Sequence, residues 1–125
     1  MAHPFEQPRS IYYQSLTRDG ARCVYCGKDI LETYDAFCSS HLDHLKPHKN
    51  GGADDELDNR VTSCGVCNNL KGTFDPSPAG PVTPQSFQSC IDAARDFING
   101  KRNGSIDNSY YRDYQYWLKE LNRTK

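Results

Sequence analysis

Apolar positions in this chain come in short, separated patches. Ile11, Tyr12, Ser15 and Leu16 fall near one face at helical spacing, which predicts a short helix from Arg9 to Leu16, ended by Asp19-Gly20. Phe37 to Leu45 reads as a strand, although its alternation is weak, and Asn59 to Ser63 as a second strand. The long loop between them, Lys46 to Asp58, has Asn50-Gly51-Gly52 at its middle. Cys64 to Lys71 suits a short helix closed by Gly72. Asp75 to Pro84 holds four of the seven prolines and reads as a linker.

Two helices finish the chain. Thr83 is expected to cap the first, with Pro84 at its first position. Phe87, Ile91, Ala94, Phe97 and Ile98 form its apolar stripe, and Gly100 is expected to stop it. The second spans Ile106 to Leu121, with a stripe of Tyr110, Tyr114, Trp117, Leu118 and Leu121. Helical spacing assigns that stripe to core packing, with stacking of nucleic-acid bases as the alternative.

Composition narrows the picture. A chain of 125 residues, 36% apolar and 25% charged, supports one modest domain with a small core that benefits from a staple. The net charge of −1 excludes a global positive field, so contact with a polyanion must come from a local patch. No apolar run approaches the roughly 18 residues of a membrane span, and Met1-Ala2-His3-Pro4 does not open like a signal peptide. The expectation is a cytoplasmic protein in a reducing compartment, with no membrane partner.

Four of the six cysteines fall into Cys-x-x-Cys pairs, Cys23/Cys26 and Cys64/Cys67. In a reducing compartment that spacing favours thiolate–metal binding over disulfides. Four thiolates make a closed tetrahedral zinc site, structural rather than catalytic. The 37 residues between the pairs (27 through 63) leave room for an inserted hairpin. Gly27 allows the tight knuckle after Cys26. Cys38 and Cys90 read as small buried hydrophobes.

The hairpin carries Asp43-His44, three residues before Pro47, and Asn68 follows the last cysteine. Asp43 and the Asn68 side-chain carbonyl are hard oxygen donors suited to Mg²⁺ or Mn²⁺. Histidine is the side chain whose ordinary pKa lies near neutrality, so His44 is a candidate to take a proton from water. Together these groups suit phosphodiester hydrolysis. Neighbours on an ideal strand face opposite sides, so the strand is expected to end or bulge at the pair. Asn59 is placed to hold the long loop closed. Lys46, Arg60, Lys71 and His41 are candidate substrate contacts, His41 reading equally well as a packed or solvated histidine.

Cys23-x-x-Cys26-Gly27, Asp43-His44-x-x-Pro47, Gly51-Gly52, Asn59 and Cys64-x-x-Cys67-Asn68-x-x-Lys71-Gly72 together resemble the HNH endonucleases, in the four-cysteine, McrA-like form with an Asp-His…Asn…Asn signature. The resemblance covers roughly residues 9–72. It implies an α+β fold: a ββα-metal (His-Me finger) core with a structural zinc, here flanked by an N-terminal helix and two C-terminal helices. It also implies His44 as general base, Asp43 and Asn68 as ligands of a catalytic Mg²⁺ or Mn²⁺, and Asn59 as the loop-ordering residue. The expected organisation is a flexible arm (1–8), a nuclease core with its zinc (9–75), and a linker with helical extension of the same domain (76–125). The expected function is metal-dependent cleavage of DNA, contacted through its phosphate backbone, with a protein partner that could deliver the substrate. The competing reading is a zinc-stabilised nucleic-acid-binding or assembly module with a silent site.

Overall fold

The computed structural model describes residues 10–123, so the arm assigned to 1–8 lies outside the described residues. Helix α1 spans Ile11–Asp19. Ser10 caps it by accepting from the Tyr13 amide, and Gly20, at φ 64°, closes it in the left-handed conformation. The Cys23–Gly27 knuckle follows. Helix α2 spans Tyr34–Ser39, capped by Thr33. Strand β1 is His41–His44 and strand β2 is Arg60–Ser63. They pair antiparallel, with His41 opposite Ser63 and His44 opposite Arg60. Helix α3 (Gly65–Lys71) leaves β2 directly, with Cys64 as its cap. Helices α4 (Phe87–Arg102) and α5 (Ser109–Glu120) complete the chain.

This is a mixed fold, with a two-stranded sheet and the β–β–α order expected of a ββα-metal core. Four expectations need correction. The strand expected from Phe37 begins only at His41, because Thr33 accepts from the Ala36 amide and Asp35 sits in the first turn, so the preceding segment winds into α2. Thr83 does not cap α4. It trades hydrogen bonds with Ser86, amide to hydroxyl in both directions (2.9 and 3.1 Å), and so builds a turn before the helix. Gly100 does not stop α4 but lies buried within it, where a Cβ would stand 2.5 Å from Ile106 Cδ1. The stripe of α5 is not core: Tyr110, Tyr114, Trp117 and Leu121 are all exposed.

The core joins Cys23, Tyr25, Leu45, Val61, Cys64, Cys67 and Leu70 to Cys90, Ile91, Ala94 and Ile98 of α4. Three of the four paired cysteines thus lie inside the hydrophobic cluster. Cys90 is buried as expected, whereas Cys38 is exposed. Helix α4 is also tied on by polar contacts. Arg95 donates to the Val24 and Tyr25 carbonyls at 2.7 and 3.1 Å, and Phe97 stacks on Phe74. Helix α1 is fixed on β2 and the turn before it, where Arg18 donates to the Leu57 and Arg60 carbonyls and Asp19 accepts from the Thr62 amide. Among the described residues no helix is long and apolar enough to cross a membrane.

Candidate active site and cysteine cluster

The knuckle brings Cys23 and Cys26 against the first turn of α3, where Cys64 caps the helix and Cys67 lies one turn on. One sulfur from each of the four falls within 4.8 Å of the others, and Cys26 Sγ lies 3.7 Å from Cys64 Sγ. Such a set of soft donors fits a tetrahedral zinc ion. The polar surroundings favour the thiolate at Cys23. A hydrogen bond from Cys67 pulls the Cys23 thiol down to about 4 against the opposing effect of burial. The same contact holds the Cys67 proton far above the ordinary thiol value. Arg102 places Nη2 3.1 Å from Cys67 Sγ and so partners a sulfur from the far end of α4.

Asp43 and His44 end β1 in unbroken register, opposite Val61 and Arg60. The strand stops at the pair without a bulge, and the two side chains meet separate partners. Asp43 Oδ2 accepts from the Tyr25 hydroxyl at 2.7 Å and lies 3.4 Å from Lys71 Nζ. Tyr25 is 2% exposed, and burial first, then the Asp43 charge, raise its pKa, so it stays a donor. The Lys71 ammonium also donates to the His44 carbonyl at 3.0 Å.

On the other side, His44 Nε2 lies 2.7 Å from Asp54 Oδ1, and His48 Nδ1 lies 3.0 Å from the same oxygen. The hydrogen bond to His44 is the main reason the Asp54 pKa falls below the usual carboxylate value. An ionised carboxylate can only accept, so in this contact Nε2 carries a proton, and in the neutral ring Nδ1 keeps its lone pair.

Asn59 is 3% exposed and makes three bonds across the loop. Its Oδ1 accepts from the Lys46 amide at 2.7 Å, while Nδ2 donates to the Lys46 and Ala53 carbonyls at 3.0 Å each. Gly52 lies against the same Lys46 carbonyl, where a Cβ would approach its oxygen to 1.8 Å. Asn68 is half-buried on α3, and its side chain has no hydrogen-bond partner among the described residues.

The expected substrate contacts are placed differently. Lys71 is 1% exposed and turned inward on Asp43 and His44. Lys46 is 6% exposed and bonds Asp75 and the Ser77 carbonyl, each at 2.7 Å. Arg60 donates to the Asp54 and Leu42 carbonyls. Each of these cations neutralises or satisfies a group of the protein itself. Of the four candidates, only His41 is exposed. Tyr25, Asp54 and Arg102 were not anticipated. The only sequence signals for the first two are positional: Tyr25 lies inside the knuckle and Asp54 two residues past Gly51-Gly52.

A two-stranded hairpin running into a cysteine-clamped helix, with an Asp-His pair closing the first strand, defines the ββα-metal class of nuclease domain. The HNH endonuclease model matches residues 23–74, from the first knuckle cysteine through α3, and that segment belongs to this family. The chain is also 37% identical over 60 residues to the CRISPR-associated endonuclease Cas9 of Corynebacterium diphtheriae. The aligned segment covers 48% of this chain but only 5% of that much longer protein. No solved structure matches the chain.

Proposed function

We propose that the chain is a metal-dependent endonuclease that hydrolyses phosphodiester bonds in DNA. The single observation that carries this reading is the arrangement of the Asp43-His44 pair. The two side chains are separately fixed, the first by Tyr25 and Lys71, the second by Asp54.

Asp43 and Asn68 would hold a Mg²⁺ or Mn²⁺ ion. The donor set fits: a pre-oriented carboxylate, 12% exposed, and an amide with no partner within the protein. Such an ion supplies positive charge against the phosphate and the leaving 3′ oxygen. His44 is the general base. Its Nδ1 takes a proton from the attacking water as the water oxygen bonds to phosphorus and the bond to the 3′ oxygen breaks. Asp54 faces the imidazolium that results and stabilises it. Asn59 holds the loop that carries Asp54, so its role is positioning.

The near-neutral charge and the inward-turned Lys46, Arg60 and Lys71 support weak intrinsic affinity for DNA and a partner that delivers the substrate. The binding of Arg95 and Arg102 to the knuckle and to Cys67 supports residues 9–75 and 76–125 as one folding unit. The need to keep four thiols reduced supports a cytoplasmic location. The test is relaxation of supercoiled plasmid in Mg²⁺ or Mn²⁺, with His44→Ala as the comparison. A silent binding module would bind DNA and leave the plasmid intact.

A further inference from the structure

We propose that His44, His48 and Asp54 form a second metal site, selective for a borderline transition-metal ion such as Zn²⁺, and that an ion bound there switches the general base off. The three donor atoms, one from each residue, lie within 4.8 Å of one another. Asp54 Oδ1 already stands 2.7 Å from His44 Nε2 and 3.0 Å from His48 Nδ1. Ligand atoms around tetrahedral zinc are separated by about 3.3 Å, given Zn–N and Zn–O bonds of about 2.0–2.1 Å. Each His–Asp separation therefore needs to open by only a few tenths of an ångström to meet that spacing, and the two histidine donors already lie within 4.8 Å of one another.

The framework under the cluster is held from several directions. His44 ends a paired strand. The Asp54 carbonyl is fixed by Arg60 Nη1, and the preceding Ala53 carbonyl by Asn59 Nδ2. His48 begins a short 3-10 turn that closes when the Gly51 amide donates to its carbonyl. The side chains of His48 and Asp54 are 71% and 62% exposed, so an ion can enter from solvent. Two imidazoles and one carboxylate favour Zn²⁺ over Mg²⁺, which prefers all-oxygen shells.

The functional consequence rests on the nuclease reading above and follows from the tautomer. Without the ion, the neutral His44 ring that donates Nε2–H to Asp54 leaves Nδ1 to accept. An ion on Nε2 displaces that proton. The neutral ring then carries its one proton on Nδ1, which has no lone pair left for the water proton. The same ring cannot ligate the ion through Nε2 and act as base through Nδ1. Nuclease activity would thus fall as free Zn²⁺ rises, by a route separate from competition at Asp43 and Asn68.

The test uses the full chain with its structural zinc in place and excess Mg²⁺ present, titrated with Zn²⁺ by calorimetry. Wild type should bind one further equivalent. His48→Ala, a change on an exposed turn at a residue with no assigned part in the nuclease step, should bind that equivalent about tenfold more weakly or worse. In plasmid nicking, His48→Ala should keep the Mg²⁺-supported rate and need a correspondingly higher Zn²⁺ concentration for half-inhibition. Equal Zn²⁺ affinity, or equal half-inhibition, in the two proteins overturns the proposal. Should wild type not nick DNA at all, the nuclease reading fails by itself, and the calorimetric comparison still decides whether the site exists.

Discussion

The ammonium of Lys71 stands 3.4 Å from the Asp43 carboxylate, and both side chains are almost wholly removed from solvent. Lys71 also donates to the carbonyl of His44, so one side chain from α3 spans both members of the pair that closes β1. Asp43 is therefore neutralised from within before any ion arrives.

Replacing Lys71 by Met keeps the stem volume and removes the charge. It leaves the Asp43 carboxylate without its cation and the His44 carbonyl without its donor. The expected loss is about 3 kcal/mol of folding stability, as for other buried pairs deprived of one partner. Urea denaturation of the zinc-loaded chain measures it. Were Lys71 a phosphate contact, as first expected, the variant would keep its stability and lose only DNA affinity.

Lys46 and Asp75 make a second enclosed pair, at 2.7 Å. Burial alone would raise the Asp75 pKa, but the Lys46 hydrogen bond, the Ser77 amide and the Lys46 charge outweigh it and hold the pKa below its ordinary 3.8. A carboxyl depressed in the folded state adds stability that is present above its unfolded pKa and is lost as pH falls through the folded value. Asp75→Asn should therefore be clearly less stable than wild type at neutral pH. The gap should narrow as the pH drops from about 4 through the folded pKa. Thermal melts across that range follow it, and a constant gap would remove the ion pair from the account.

The Lys46 main chain is held by Asn59 through both amide and carbonyl, and Gly52 packs on the same carbonyl. Asn59→Ala should cost at least about 2 kcal/mol from unpaired buried groups and should abolish nicking by loosening the loop that carries Asp54. Asn59→Asp keeps the acceptor but faces two carbonyls with an anion, so it should rescue little. Gly52→Ala should mimic Asn59→Ala, because its Cβ would overlap the backbone oxygen. Denaturation midpoints and nicking rates, measured together, check all three.

The cysteine cluster sits in the core, so removing its metal should unfold the domain rather than merely slow it. Cys64→Ser should lose both zinc and the cooperative melt. Arg102→Ala should stay folded but release zinc to a chelator about tenfold or more faster, because Cys67 loses its partner. A Cys64→Ser protein that kept its metal and its melt would contradict the staple.

Local spacing made much of this fold legible. The Cys-x-x-Cys pairs, the helix from Cys64 to Lys71 and the apolar stripe of α4 are short-range patterns, and the structure shows each. Long-range pairing was the hidden part. Charge alone marks Lys46, Arg60 and Lys71 as phosphate ligands. Only the folded chain shows that Asp75, the Asp54 carbonyl and Asp43 already occupy them. The stripe of α5 is truly amphipathic, yet periodicity says nothing of what covers a face, and among the described residues Tyr110, Tyr114, Trp117 and Leu121 stay exposed. Thr33 hid α2 in the same way, as a cap recognisable only beside the Ala36 amide.

The most direct test of the central claim is plasmid nicking in Mg²⁺ by wild type, His44→Ala and Asp43→Ala, each confirmed to be folded and zinc-loaded. The predicted result is relaxation of supercoiled DNA by wild type, with both variants slowed by at least about a hundredfold, the scale of a lost general base or metal ligand. Cleavage at the wild-type rate by either variant would contradict the mechanism.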